Sequence, residues 1–299
     1  MSNHQLLALM PLLTLSLSAF VLMIQASIKR DQGIALKITA LGLVVSLWAV
    51  GFASDYTQST TLLVVDNWSL FFTALILLAS LITLWLCSDK FASEGERKEE
   101  FYLLLVLSVL GAVVLIQSSH MVGLLLGMEL MGVALYAMIA FPERGLLPLE
   151  AAIKYLVPSA CASAILLFGF ALIYAATGDL SYSGIGTKID SGLQQNPIVL
   201  VAGAAMVLAG LGFKLSVVPF HMWTPDVYEG APTAITGYLA TVSKGAVFVA
   251  LTRLYMDGQL YLYASLTNAL VVMALASMLV GNWLALRQQN IKRLLAYSS

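Results

Sequence analysis

The chain has 299 residues, of which 60% are apolar and 10% charged, with a formal net charge of −1. A soluble domain carries about 25% charged residues to keep its surface wet, so this composition excludes a water-soluble globule and calls for lipid around most of the chain. The near-neutral balance gives no basic field for nucleic acid, and two distant cysteines, Cys87 and Cys161, offer neither a disulfide framework nor metal-ligand spacing; both read as small buried hydrophobes.

About 20 apolar residues in a helix cross the hydrocarbon core, and lipid cannot satisfy the backbone of an open strand. The apolar runs show no dyad alternation of the kind a barrel needs. They predict nine helical spans, at 6–27, 36–53, 67–87, 101–118, 120–141, 150–177, 198–223, 232–254 and 261–286. The first has only His4 before it and full membrane length, so it reads as a retained helix and not a cleaved signal. Residues 88–100 mix both signs and read as a solvated loop. Residues 178–196, rich in Gly and Ser, read as a linker. A polar piece at 287–293 leads into 294–299.

Basic residues orient the bundle. With the N-terminus outside, the inner loops hold Lys29, Arg30, Lys37, Lys90, Arg97, Lys98, Arg144, Arg287, Lys292 and Arg293, and the outer side only Lys188 and Arg253. Ten against two fits cytoplasmic enrichment of Lys and Arg. Three basic residues remain, Lys154, Lys214 and Lys244, and all three fall within spans.

With Glu129 they place one charge in each of four consecutive spans. Glu129 and Lys244 fall near mid-depth, Lys214 about nine residues before the end of the seventh span, and Lys154 near an end of the sixth, where a lysine can also snorkel to the interface. An ionisable group at bilayer depth costs at least ~2.5–3.5 kcal/mol, whereas a polar contact between membrane helices returns only ~0.6–2 kcal/mol. Glue alone therefore accounts poorly for the set, although a buried ion pair remains an alternative for any one member. Desolvation disfavours a lysine's charge and a nearby carboxylate restores it, so such a group suits proton relay. Sodium would favour clustered carboxylates, and only one acid lies at the centre.

The seventh predicted span is too long for one straight crossing and contains Pro219, which breaks a helix interior. A discontinuous helix beside an ionisable residue recurs at ion-transport sites; a simple kink is the alternative. His221, just past the break, reads either as a proton shuttle or as a cap for loop carbonyls. His120 reads as structural, Gly123 and Gly127 as a helix-packing step, and Trp68, Trp223 and Trp283 as interfacial anchors. There is no GxGxxG before a helix, no Walker loop, no HExxH and no cysteine cluster, so no cofactor or metal site is predicted in this chain.

The stretch FKLSVVPFHMWTPDVYEGAPT at 213–233 resembles the signature of subunit N of bacterial respiratory complex I, as do GMEL at 127–130, VSKG at 242–245 and IKRLLAYSS at 291–299. The Glu and Lys positions are similar to those of the wider antiporter-like family. The wording DVYEGAP at 226–232 points to subunit N over the related subunits of complex I or of sodium/proton antiporters.

The resemblance implies an all-α, polytopic, antiporter-like transmembrane bundle of about nine spans plus the start of a tenth, with a discontinuous seventh helix. It implies an N-terminal three-helix segment at 1–100, a first five-helix repeat at 101–256 and the start of a second, inverted repeat at 257–299, in a chain shorter than family members. By position, Glu129 would partner Lys214, Lys244 would be the central relay lysine, and Lys154 would match a further basic site. NADH, flavin, iron–sulfur clusters and quinone would be bound by other subunits. The partners would be the other membrane subunits, the lipid bilayer and protons, in a bacterial inner membrane with the N-terminus periplasmic. The alternatives are a subunit of a sodium/proton antiporter and a non-transporting scaffold.

Overall fold

The computed structural model describes residues 3–28, 30–94, 99–142, 146–192 and 196–299. Lys29, Arg97, Lys98 and Arg144, used above for orientation, lie outside the described residues, as does the side chain of Lys90. Among the described residues nine helices are long and apolar enough to cross a membrane: Met10–Ile28, Gln32–Ala53, Asn67–Ser88, Glu99–Gln117, Met121–Ala140, Leu147–Thr177, Pro197–Leu215, Thr233–Asp257 and Ala264–Ala285. They correspond in order to the nine predicted spans and keep those ordinals below. The chain is a multi-pass membrane protein. Its exposed surface explains the composition: Leu17, Leu41, Trp48, Phe71, Trp85, Val133, Phe168 and Leu279 all face outward, as side chains solvated by lipid do.

The chain forms two compact units. The first comprises 1–118, 123–141 and 232–246. Its centre is the fourth span, where Leu105, Val106, Val109, Ala112, Val113, Leu115 and Ile116 are buried. The fifth span approaches it backbone to backbone. A Cβ on Gly127 would sit 2.6 Å from the Leu115 nitrogen and 2.8 Å from the Gly111 carbonyl oxygen. Only a residue without a side chain permits that approach. Between the first and second spans, Ser46 Oγ donates to the Pro11 carbonyl at 2.8 Å. A short antiparallel pair, Gln58–Ser59 with Val64–Val65, closes the connection before the third span.

The second unit comprises 119–122, 142–231 and 247–299. The sixth span is the longest, 31 residues from Leu147 to Thr177, or about 46 Å of helix. It runs unbroken through Pro158. Residues 178–196 are more than the predicted linker: they contain a helix at Tyr182–Asp190. Ser181 Oγ caps it by accepting from the Gly184 N–H, and Tyr182, Ile185, Gly186 and Ile189 form its buried stripe. A last helix, Ile291–Ser298, follows the ninth span where the start of a tenth is expected.

Two side chains, Cys161 and Trp223, differ from their predicted surroundings. Cys87 is buried, but Cys161 is exposed, because it lies on the outward face of the sixth span. Trp68 and Trp283 are 46% and 62% exposed, as anchors would be, whereas Trp223 is 6% exposed. The chain folds Trp223 inward, against the end of the seventh span.

Candidate functional site

The seventh span starts at a capped proline turn, with Asn196 Oδ1 accepting from the Ile198 and Val199 N–H groups. It stops at Leu215, eight residues before the predicted end. The cause is local. A proline ring collides with the carbonyl four residues earlier, and for Pro219 that carbonyl belongs to Leu215. Ser216 turns left-handed with φ 61°. The N–H groups of Ser216 and Val217 return to the Phe213 and Gly212 carbonyls at 3.0 and 3.1 Å, closing groups a helix end leaves bare.

The connection then doubles back. The Val218 N–H donates to Ser277 Oγ of the ninth span at 2.9 Å, and Trp223 Nε1 donates to the Phe213 carbonyl at 3.1 Å. A short helix, Thr224–Gly230, follows. The discontinuity expected of the seventh helix is therefore present as a stop, an irregular segment and a short second helix.

Lys214 lies in the last turn before this break and is 2% exposed. Its Nζ donates to Ser159 Oγ at 2.6 Å and sits 5.5 Å from the centroid of the Tyr155 ring. Tyr155 and Ser159 are four residues apart and share one face of the sixth span. Glycines bring the sixth and seventh helices close enough for this contact: a Cβ on Gly203 would lie 2.8 Å from the Gly169 carbonyl oxygen, and one on Gly210 2.8 Å from Leu166 Cβ. Trp223 stacks on Tyr155 with ring centroids 4.5 Å apart and on Phe213 at 5.3 Å.

Lys154 is placed differently from its neighbour Lys214. Two turns into the sixth span, its side chain is 46% exposed and pairs with Glu150 at 2.7 Å and Asp226 at 2.8 Å. Asp226 also meets Arg293 at 2.7 Å, and Arg293 reaches Glu229 at 2.9 Å. Asn290 Nδ2 donates to Glu229, and Lys292 Nζ to the Ala231 carbonyl. The result is a chain of alternating charges, Glu150–Lys154–Asp226–Arg293–Glu229. The Lys154 ammonium, and secondarily Arg293, holds the Asp226 carboxyl below the ordinary carboxylate range against the opposing effect of burial.

His221 lies on the irregular segment, and neither ring nitrogen makes a well-formed hydrogen bond. Burial lowers the imidazole's proton affinity, with the Pro219 backbone partly offsetting it. A cavity of about 250 Å³ is lined by Ser216, His221, Thr224, Ser277 and Asn282 among others. Ser216 Oγ and Thr224 Oγ1 likewise lack partners. Buried polar groups without protein partners are satisfied by water. His120, by contrast, is a structural residue: its Nδ1 accepts from the Val122 N–H, and it bridges to Ser181.

In the first unit, Glu129 lies at the middle of the fifth span, partly buried, two residues past the Gly127 contact. Lys244 is 9% exposed. It follows a π-helical turn, Leu239–Ser243, that interrupts the eighth span between Thr233–Tyr238 and Lys244–Asp257. Such turns are rare and concentrate at functional sites. No residue type within Leu239–Ser243 marks it in advance.

Thus Glu129 and Lys244 belong to one unit, and Lys154, Lys214 and His221 to the other. The immediate partners of Lys214 were not foreseen. Tyr155 and Ser159 carried one signal, their spacing on a shared face, but nothing in the sequence says which neighbouring helix that face meets. Among the described residues no group of three or more His, Cys, Asp or Glu could hold a metal ion. A buried lysine beside a hydroxyl and an aromatic face can carry a proton and give it up when a stronger base or water reaches it.

Residues 118–299 match the family described as NADH:quinone oxidoreductase/Mrp antiporter, transmembrane. Among solved structures, a chain of respiratory complex I from Thermus thermophilus with bound aureothin is 34% identical, with a TM-score of 0.82 over 97% of this chain and 61% of that one. A chain of the membrane-bound sulfane sulfur reductase, an archaeal respiratory membrane complex, is 28% identical, with a TM-score of 0.80 over 99% and 62%. A chain of the Mrp complex from Dietzia sp. DQ12-45-1b is 20% identical, with a TM-score of 0.83 over 99% and 57%, a likeness of fold alone. The present chain spans less than two thirds of the length of each of these chains.

Proposed function

The chain belongs to the NADH:quinone oxidoreductase/Mrp antiporter transmembrane family, and from that premise we propose that it is a proton-translocating membrane subunit of a respiratory complex, with Glu129, Lys214 and Lys244 as its relay. The observation that carries this reading is Lys214, a lysine 2% exposed inside a membrane protein, held by Ser159 at 2.6 Å beside a helix break. A charge buried at that cost is retained where it is used. Lys244, buried behind a π turn, gives the relay a second lysine. The cavity at the break, with His221, Ser216 and Thr224 on its wall, supports a water path from one membrane face toward Lys214. Lys154, half exposed and engaged by two carboxylates, lies outside the lining of that cavity and is a further basic site of the same unit.

The finer identity we favour is subunit N of a bacterial NADH–quinone oxidoreductase, in the inner membrane with the N-terminus periplasmic. The DVYEGAP wording at 226–232 supports it, as does the 34% identity to a Thermus complex I chain. In that setting NADH, flavin, iron–sulfur clusters and quinone belong to other subunits, and this chain contributes the proton path. The test is the purified complex in proteoliposomes carrying Lys244→Ala or Glu129→Gln. Proton uptake per electron should fall while quinone reduction without a proton gradient persists. Unchanged uptake in both variants rules the relay out.

A sodium/proton antiporter subunit is the second reading, favoured by the Mrp part of the family description. Proton movement that stops in sodium-free proteoliposomes selects it; movement that continues selects the respiratory reading.

A further inference from the structure

The surroundings of Lys214 contain more than a hydrogen-bond partner. Its Nζ lies 5.5 Å from the centroid of the Tyr155 ring, within the ~6 Å over which a ring face attracts a cation. Tyr155 is 1% exposed, so that attraction is unscreened by water. The ring is also held in place. Trp223 stacks on it at 4.5 Å with only 15° between the planes, and the Trp223 indole is fixed by its bond to the Phe213 carbonyl, one residue before the lysine. Trp223 immediately precedes the helix Thr224–Gly230, whose Asp226 is tied to Lys154 and Arg293. An aromatic plate is thus clamped beside the ammonium by the same segment that forms the break. A purely space-filling residue would need neither the indole's hydrogen bond nor near-parallel stacking.

We infer that Tyr155, clamped by Trp223, is a positioning residue for the relay: its ring face stabilises the charged form of Lys214 and keeps the lysine loaded between transfers. This rests on the proton-relay reading above. Ser159 supplies direction to the ammonium, and the ring face supplies a second attraction beside it. The clamp also gives the ionic chain Glu150–Lys154–Asp226–Arg293–Glu229 a mechanical route to the lysine. If the helix Thr224–Gly230 moves, Trp223 moves with it and the plate loses its backing.

The test uses the assembled complex in proteoliposomes, with position 155 occupied by phenylalanine (Tyr155→Phe) and then by phenylalanines of increasing fluorination. Fluorine withdraws the negative charge of the ring face while changing its size little, so folding is retained and only the electrostatic attraction changes. Tyr155→Phe, which already lacks the hydroxyl, sets the reference rate for the series. The rate should then fall stepwise with each added fluorine, by on the order of 3- to 30-fold at full fluorination. Trp223→Leu should reproduce the loss, and Trp223→Phe should restore part of it. A flat fluorination series, with Lys214→Ala still lowering uptake, overturns the inference and leaves the relay standing. Full uptake in Lys214→Ala overturns the relay itself.

Discussion

Ser159, Asp226 and His221 decide how the second unit responds to substitution and to acid. Ser159 Oγ is the hydroxyl on a buried ammonium, and a hydrogen bond to a charged group contributes about 1.5–3 kcal/mol. Ser159→Ala should therefore lower the thermal midpoint of the purified protein and slow proton uptake, with Ser159→Thr restoring both; a silent Ser159→Ala would mean the contact carries no weight. The acid response follows from two shifts of the same sign. Asp226 has its carboxyl held low, chiefly by Lys154, so its ion pairs stabilise the fold fully above the ordinary carboxylate value of about 3.9 and lose that contribution as pH falls through the lower folded value. His221 is held low by burial, so the folded state disfavours its protonation. Its share is complete above about 6.5 and is lost as pH falls toward the folded value. The midpoint should drop in two stages on acidification, with His221→Gln removing the upper stage and Asp226→Asn most of the lower. The charges themselves were legible in the sequence, because a lysine in an apolar run stands out. Their partners were not: a place near the end of the sixth span fits an exposed Lys154, but nothing in the sequence pairs it with Asp226, 72 residues on.

Among the elements, the close helix pairs and the interrupted helices set the tolerance to change. Gly127 meets the fourth span backbone to backbone, whereas a Cβ on Gly245, beside Lys244, meets nothing within 4 Å. Gly127→Leu should separate the fourth and fifth spans and abolish assembly, and Gly245→Ala should assemble normally. Equal assembly levels in membranes would contradict this account of the fifth span. Ser216 adopts a left-handed backbone that a side chain disfavours by about 1 kcal/mol or more. Ser216→Gly should raise the thermal midpoint slightly and leave the break intact. Span existence and order could be read from apolar length, because the lipid core fixes that length. The end of the seventh span could not be read from hydrophobicity, since Val217, Val218 and Phe220 continue the apolar run. The collision of Pro219 with the Leu215 carbonyl ends it earlier, and that reasoning was available in the sequence. The helix Tyr182–Asp190 was available too, through its Ser181 cap and its buried stripe. The π turn before Lys244 was not, because no side chain in Leu239–Ser243 marks a wider turn.

For the whole molecule, family membership and two compact units, each with a buried lysine, are what support the proposed role of a proton-translocating subunit. Family membership follows from the match over residues 118–299. In the relay proposed above, Glu129 and Lys244 would come from one unit and Lys214 from the other. No single-unit fragment should therefore move protons, even where it folds. The central claim meets its most direct test in the proton-to-electron ratio of the reconstituted complex, measured for wild type and for Lys214→Ala at matched assembly. The relay predicts a lower ratio with electron transfer still running when the gradient is dissipated. A ratio equal to wild type would show that the buried lysine is structural and that protons take another route.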